Sequence, residues 1–296
     1  MPYLGELSAL ITACLWSGSS LAFASATRHA GSFQVNITRL ILALGYLSVS
    51  IILIRPDVNL SLNQFIMLGV SGVIGLTIGD TFLFKAYQEI GPRVAMLIMS
   101  LAPAIAAILA YFILGEGVSA TGALGILITI CGISLVVLGR KSNGTNSSSL
   151  TTLGIIYAFL AAAGQGGGLV FAKLAFRESP VDGFVATAVR IFASLIPLLP
   201  FGIATKRYSR PYQTFIGNKR LLSLTIIGSI LGPYLGITFS LIAIEYTSVG
   251  IAATIMAIAP ILMLPLVRIV YNERITWRAI LGAIVAVAGV GVLFVR

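Results

Sequence analysis

The sequence predicts an all-α membrane protein of ten transmembrane helices, arranged as two inverted five-helix repeats. Of its 296 residues, 58% are hydrophobic and only 9% are charged, whereas an ordinary soluble domain is about 25% charged. Apolar runs of about 20 residues, long enough to cross the hydrocarbon core of a bilayer, recur along the whole chain. In addition, residues 78–137 and 235–294 align without gaps, which indicates an internal duplication.

Helices are favoured over a β-barrel because the apolar runs are continuous, whereas barrel strands alternate between apolar and polar residues. Charged residues and clusters of Gly, Pro and Asn mark the breaks between runs. The predicted spans are 4–26, 34–54, 63–87, 92–114, 119–139, 152–175, 183–203, 218–244, 248–270 and 275–295.

The duplication is recognised by residues that recur 157 positions apart. The matching pairs are Gly79 and Gly236, Phe82 and Phe239, Ala86 and Ala243, Met99 and Met256, Pro103 and Pro260, Glu116 and Glu273, Gly125 and Gly282, and Gly132 and Gly289. Outside this segment the match is weaker, with Gly18 and Gly166 offset by 148 positions and Arg39 and Arg190 by 151.

The polar stretch near the middle of the chain divides it into a first repeat at 1–141, a linker at 142–151 and a second repeat at 152–296. Each repeat has five predicted spans. Because five is an odd number, the second repeat must begin on the opposite side of the membrane from the first. The repeats are therefore predicted to be inverted, an arrangement that places a substrate site between the halves near the bilayer midplane.

The net charge of +10 arises mainly from Lys and Arg between the apolar runs. These residues favour anionic lipid headgroups as partners, and no nucleic acid is expected. Most of them fall in the odd-numbered loops, so the positive-inside rule places both termini away from the cytoplasm.

Several motifs resemble the drug/metabolite transporter superfamily, specifically EamA-type permeases, over nearly the whole chain. They are Leu15-Trp16-Ser17-Gly18, Arg39 and Arg190 at the openings of spans 2 and 7, Pro103 and Pro260, Leu114-Gly115-Glu116, Tyr271-Asn272-Glu273, and the glycines at 125, 132, 282 and 289. The resemblance implies a ten-helix transporter with two EamA repeats that moves small metabolites, often outward. It also implies cytoplasmic termini, contrary to the charge distribution, so the orientation stays open.

Asp80 is the only acid well inside a predicted span. A carboxylate in the membrane must face a cavity or a partner. It is a candidate for proton coupling or for binding a substrate amine, and the alternative is a structural pair with Lys85, Arg39 or a helix end. In the second repeat Ile237 occupies the equivalent position.

Basic residues near helix ends are expected to snorkel to the headgroups, and this is the expectation for Arg39, Arg190 and Lys85. The alternatives are that the two arginines pair across the repeats to close a gate, and that Lys85 meets an anionic substrate.

The predicted pathway also includes polar or flexible parts of the paired spans. Small residues there also suit close helix packing, which is the competing explanation. The remaining pathway candidates are Trp16, Ser17, Ser20, Thr81, Gln165, Tyr234 and Thr238. Pro103 and Pro260 are predicted to kink spans 4 and 9.

These features favour a secondary transporter that moves an amino acid or a related metabolite by alternating access, in the export direction, in the plasma (inner) membrane. The chain is not expected to be an enzyme or to use a cofactor or metal. Expected partners are the small-molecule substrate and membrane lipids, with protons as a candidate coupling ion and a homodimer left open. The alternatives are an uncoupled facilitator or exchanger, a lipid-carrier flippase and an intramembrane enzyme.

Overall fold

The computed structural model describes residues 3–114, 120–138, 151–247, 252, 255–271 and 276–293. All regular secondary structure in this part of the chain is helical. The helices are α1 (Leu4–Ala30), α2 (Ser32–Ile54), α3 (Leu62–Gly72), α4 (Asp80–Met99), α5 (Ala102–Leu114), α6 (Ala120–Leu138), α7 (Thr152–Glu178), α8 (Gly183–Ala204), α9 (Pro211–Ile216), α10 (Lys219–Ser229), α11 (Leu235–Tyr246), α12 (Ala259–Tyr271) and α13 (Trp277–Leu293). Glu116, Glu273 and the predicted linker before Thr151 lie outside the described residues.

The described helices include six that are long and apolar enough to cross a membrane. Four shorter apolar helices, Ala102–Ile113, Ala120–Leu135, Ala259–Ile269 and Trp277–Val292, account for the rest of the predicted spans. The longest stretch, Leu62–Met99, holds the third span and the start of the fourth. The predicted fold class is confirmed, and the chain is an integral, multi-pass membrane protein.

The two halves repeat the same elements at the offsets seen in the sequence. Helix α7 begins 148 positions after α1, and α10 begins 157 positions after α3. The third span of each half contains a π-helical segment, Val73–Gly79 in the first and Ile230–Tyr234 in the second, and these segments also begin 157 positions apart. The sequence patterns predicted ordinary helices at these places, so the π segments are a finding of the structure.

Local sequence explains how these paired third spans begin. Ser61 accepts a hydrogen bond from the backbone N–H of Gln64, and the Gln64 side chain accepts one from the backbone of Ser61. At the equivalent place in the second half, the Asn218 side chain accepts from the backbone N–H of Leu221. Each cap satisfies a donor that the first turn of a helix leaves unpaired.

Several predicted loops are shorter than expected. The break predicted after residue 26 is reduced to Gly31, whose φ is 82°, and the break predicted after residue 87 is reduced to Gly91, whose φ is 77°. Glycine adopts these left-handed angles without a Cβ clash, and Pro92 disfavours a helical conformation at Gly91. In contrast, the loop predicted after residue 203 contains the additional short helix α9.

The two halves are interlocked, because the third span of each packs against the first two spans of the other. Glycine makes the approach close: a Cβ on Gly72 of α3 would lie 2.0 Å from the carbonyl oxygen of Arg190 in α8. Likewise, a Cβ on Gly164 of α7 would lie 2.7 Å from the Cα of Gly79. Small residues commonly permit such backbone contacts between membrane helices.

The last helices of the halves, α6 and α13, pack against each other reciprocally. A Cβ on Gly132 would lie 2.3 Å from the backbone nitrogen of Ala286, and one on Gly289 would lie 2.4 Å from that of Thr129. Thr129 and Ala286 are themselves equivalent positions, so each helix presents the same surface to the other. Such a contact is typical of two units related by a twofold axis.

Candidate functional site

Two adjoining cavities lie between the two halves. Trp16 of α1, Met96 and Met99 of α4, and Gln165 of α7 line both cavities. Because inverted repeats place a substrate site between the halves, the space has the position of a site for a small molecule.

The first cavity, which we call the helix-break cavity, lies where two helices are interrupted at equivalent positions. Helix α4 ends at Met99 and α5 begins at Ala102, with a turn between them. In the second half a turn at residues 257–258 precedes α12. Around these breaks the cavity is lined by Met99, Ser100, Ala102 and Pro103 and by their equivalents Met256, Ala257, Ala259 and Pro260.

Proline explains both interruptions. It lacks a backbone N–H, and its ring clashes with the carbonyl four residues earlier, which belongs here to Met99 or Met256. Proline is tolerated in the first turn of a helix, where that N–H would have no intrahelical partner. Pro103 and Pro260 are each the second residue of a new helix. The kinks predicted at these residues therefore take the form of two-residue turns that interrupt the helices.

The second cavity, which we call the ion-pair cavity, contains a buried arginine and an acid. Arg39 forms an ion pair with Asp80, and its Nε and Nη2 donate to Asn36 Oδ1 at 3.0 and 2.9 Å. The guanidinium also lies 5.1 Å from the ring centroid of Phe23 and 4.6 Å from that of Phe84. Such aromatic contacts favour a cation.

The expectation that Arg39 and Arg190 snorkel to the membrane surface is wrong. Their exposed fractions are 4% and 3%. Arg39 remains inside because Asp80 compensates its charge and Asn36 accepts from its Nε and Nη2, since a buried guanidinium requires such partners. Among the partners considered for Asp80, the structure places Arg39 against it.

Arg190 is equivalent to Arg39 but has different surroundings. Ile237 stands where its own half would supply an acid, and the charge of Asp80 acts on Arg190 across the interface between the halves. The Nε of Arg190 has no hydrogen-bond partner among the described residues. Two buried guanidinium groups therefore depend on one carboxylate.

Lys85 follows Asp80 on α4 but lines neither of the two cavities. Its Nζ lies 5.1 Å from the ring centroid of Tyr157, 5.4 Å from that of Phe82 and 6.0 Å from that of Phe33. Three aromatic faces thus surround a partly exposed ammonium group, an arrangement that holds a cation in place.

The predicted serines of α1 bond within their own helix and contact α12, and neither lines one of the two cavities. Ser17 Oγ lies 2.7 Å from the carbonyl oxygen of Ala13 and 2.9 Å from that of Ala259 in α12. Ser20 donates to the carbonyl oxygen of Ser17 and lies 4.0 Å from the sulfur of Met263 in α12. These contacts correspond to the packing explanation for this part of α1.

The other polar candidates also lie outside the two cavities. Thr81 accepts a hydrogen bond of 3.0 Å from Asn36 Nδ2, which links α4 to α2. Thr238 donates to the carbonyl oxygen of Tyr234 at 2.6 Å, and the Tyr234 hydroxyl lies 2.7 Å from Ser50 Oγ. Of the predicted pathway residues, Trp16, Arg39, Asp80 and Gln165 line a cavity, as do Pro103 and Pro260.

The structure adds site residues that the sequence reasoning missed. Met96, Met99 and Met256 line the cavities, and Ser100 lies in the turn before α5. The sequence did contain a signal for them, because Met99 and Met256 are an equivalent pair and Ser100 lies three residues before a proline. Hydrophobicity alone did not distinguish these methionines from residues that pack in a core.

Comparison with known proteins agrees with the duplicated architecture. Residues 3–138 and 152–295 each match the EamA-like transporter family. An uncharacterized transporter of Clostridium kluyveri is 24% identical over 227 residues, which cover 77% of this chain and 71% of that protein. A protein crystal structure superimposes with a TM-score of 0.67 at 19% identity, covering 98% of this chain and 95% of the other. The structural likeness concerns the fold.

Proposed function

Because the chain belongs to the EamA-like transporter family, we propose that it is a secondary transporter that moves an amino acid or a related small metabolite by alternating access. The observation that carries this proposal is the pair of adjoining cavities between the two halves, lined in part by equivalent residues of both. In inverted-repeat transporters such a site opens to each side in turn as one half moves against the other.

Equivalent irregular segments in the two halves support this mechanism. The π segments begin at Val73 and Ile230, and the helix breaks follow Met99 and Met256. Helices bend at such interruptions because the regular ladder of backbone hydrogen bonds is already broken there. An exchange of conformation between equivalent segments would convert a state open to one side into a state open to the other.

The proposed direction is export, and the proposed location is the plasma (inner) membrane. Both proposals follow from the family resemblance and not from a feature of the cavities. Protons are the proposed coupling ion, because the cavity wall contains the carboxylate of Asp80.

A specific observation also favours the uncoupled alternative. Asp80 is already engaged by Arg39, so proton exchange at this carboxylate requires the ion pair to open during the transport cycle. A facilitator or exchanger would keep the pair closed throughout. Transport measurements with and without a pH gradient distinguish these two mechanisms.

The test uses the purified chain in lipid vesicles and a panel of labelled amino acids and related metabolites. We expect at least one compound to enter or leave these vesicles faster than it crosses protein-free vesicles. If a pH gradient changes the rate, transport is coupled, and if only internal substrate changes it, the protein is an exchanger. A panel in which no compound crosses faster than in protein-free vesicles would contradict the proposal.

Asp80→Asn tests the role of the carboxylate in the same vesicles. We expect the initial rate to fall at least tenfold and its dependence on the pH gradient to disappear. Asp57→Asn is the matched control, because Asp57 is an exposed acid in the loop before α3. If Asp80→Asn still responds to the gradient, Asp80 is not the coupling site.

A further inference from the structure

Two helix N-termini open onto the helix-break cavity. Residues of the first turn of α5, Ala102 and Pro103, and of α12, Ala259 and Pro260, line the same space. The first N–H groups of a helix have no intrahelical partner, and the aligned peptide dipoles give this end a partial positive charge. Pro103 and Pro260 have no N–H, so the donors at these two ends come from the other residues of each first turn, and together they favour an anion. In transporters, the N-termini of broken helices bind anionic groups of substrates in this way.

An unpartnered hydroxyl at the same point independently indicates a ligand. Ser100 lies in the two-residue turn before α5 and lines the helix-break cavity, and its exposed fraction is 3%. Its Oγ has no hydrogen-bond partner among the described residues. A buried polar group without a partner is unfavourable, and such groups are uncommon in folded proteins. A ligand atom that accepts a hydrogen bond would satisfy this hydroxyl.

The charge of the interior also favours an anion. Among the described residues, the one acid that lines either cavity is Asp80, which is already paired with Arg39. Arg190 adds a second buried guanidinium near the same carboxylate. Among these three groups one positive charge is therefore left without a matching negative charge.

The rest of the helix-break cavity is apolar. Its wall includes Trp16, Met96, Leu169 and Met256, and Gln165 adds an amide group. An apolar wall with a few polar groups at one point selects a ligand that has a large apolar part and a polar group at one end. The ligand should therefore combine one anionic group with an apolar body.

We propose that the helix-break cavity binds a small organic carboxylate with an apolar body, and that its carboxylate lies between the N-termini of α5 and α12 and accepts a hydrogen bond from Ser100. This inference rests on the proposed transport function and names the substrate class for the same site. Apolar amino acids and simple apolar carboxylic acids share the required chemistry, and the experiment distinguishes them.

Binding is measured first, on the purified full-length chain in detergent. The chain contains two tryptophans, Trp16 in the cavity wall and Trp277 on the exposed side of α13. In a Trp277→Phe background, Trp16 fluorescence therefore reports on the cavity. The probes are leucine, phenylalanine and the corresponding carboxylic acids without the amine, each compared with its carboxamide.

We expect the carboxylates to change Trp16 fluorescence and the carboxamides to bind at least tenfold more weakly. Ser100→Ala should weaken carboxylate binding about tenfold, because a hydrogen bond to a charged group is lost. It should leave the weak carboxamide binding nearly unchanged. If the amino acids and the carboxylic acids without an amine both bind, the carboxylate alone is recognised. If only the amino acids bind, the amine is a second requirement.

Two further variants make the result specific. Ala257 is equivalent to Ser100 and precedes α12, so Ala257→Ser in the Ser100→Ala background should restore much of the binding. Ser48→Ala is the matched control, because Ser48 is exposed on α2 and far from the helix breaks in the sequence. It should bind as the parent protein does.

The failure of this inference can be told apart from failure of the proposed function. If no carboxylate in the panel changes the fluorescence, or if Ser100→Ala binds carboxylates as well as the parent, the inference is wrong. If the protein transports compounds that lack a carboxylate, the inference about carboxylate binding is also wrong, but the transport function stands. If carboxylates bind with the expected dependence on Ser100 but cross no faster than in protein-free vesicles, the transport function fails and the binding site stands.

Discussion

Asp80 determines the charge balance of the buried interior. Its carboxylate is paired with Arg39, and its charge also reaches Arg190, whose own half offers Ile237 at the equivalent position. The departure from symmetry at Asp80 therefore affects both halves. Removing Asp80 leaves the guanidinium groups of Arg39 and Arg190 uncompensated. Removing Arg39 leaves the cation of Arg190 and the anion of Asp80.

This difference predicts an unequal cost for the two partners of the ion pair. Asp80→Asn should lower the free energy of unfolding by about 3–5 kcal/mol, the usual range when one partner of a buried pair is removed. Arg39→Met should cost less, because Asp80 keeps Arg190 as a neighbour. Thermal unfolding of the purified protein in detergent measures both changes.

The double variant Arg39→Met with Asp80→Asn adds a check on this explanation. It should be no less stable than Asp80→Asn alone, because it removes one of the two uncompensated cations. If the loss of unfolding free energy in the double variant equals the sum of the losses in the two single variants, the two side chains do not interact energetically. Asp57→Asn, at an exposed loop position, should change stability by less than about 0.5 kcal/mol.

At the scale of the helices, close backbone contacts hold the two halves together. The contact of Gly72 with Arg190 joins α3 to α8, and the contacts of Gly132 and Gly289 join α6 to α13. Without a hydrophobic driving force between helices in lipid, close packing of this kind is a main source of helix association. The positions of these glycines therefore matter more than their number.

Gly72→Ala should separate α3 from α8. Its Cβ would lie 2.0 Å from a carbonyl oxygen, and because a backbone atom cannot rotate away, the helices must move apart. We expect a loss of about 2 kcal/mol or more, at the upper end of typical overpacking costs. Thermal unfolding in detergent, together with the amount of protein in the membrane, measures the effect.

Gly45→Ala is the matched control on α2. No atom of the described residues lies within 4 Å of the added Cβ, and Gly45 is exposed. Alanine is favoured over glycine in a helix interior by roughly 0.5–1 kcal/mol, so this variant should be at least as stable as the parent. Equal destabilisation by the two substitutions would contradict the packing argument.

At the scale of the whole molecule, the third span of each half packs mainly outside its own repeat. The contacts of α3 with α7 and α8, and of α10 with α1 and α2, cross between the halves. Neither half can bury these surfaces alone. The duplicated sequence thus encodes one interlocked unit instead of two independent bundles.

This interlocking predicts the behaviour of a divided chain. When residues 1–145 and 146–296 are produced as separate polypeptides in the same cells, they should assemble and copurify. Either half produced alone should reach less than about a tenth of that level in the membrane, because its exposed interhelical surface leaves it unstable. Copurification and membrane levels measured with a tag on each half test this expectation.

A division inside a helix provides the control. Two polypeptides made by dividing the chain after Gly166 of α7 should not assemble efficiently. The division removes helical hydrogen bonds next to the cavities. If either half of the chain alone proves stable and uniform in size, the interlocked arrangement is not needed for folding.

The sequence by itself determined the membrane fold, the duplication and several cavity residues. Apolar run length is a local property, so it identified the spans, and the matched pairs identified the repeats. Asp80, Gln165, Pro103 and Pro260 stand out locally because acids and amides are costly and prolines are disruptive inside a membrane helix, and Trp16 stands out through its motif.

Only the tertiary structure decided which polar groups meet. Snorkelling was the wrong expectation for Arg39 because the compensating Asp80 lies 41 positions away in the sequence. Ser17 and Ser20 resemble cavity residues locally but bond to or contact α12. Ser100 looks unremarkable until the breaks before α5 and α12 are seen to face one cavity. Composition and spacing fix where the chain crosses the bilayer, whereas partners distant in the sequence are fixed by packing between the halves.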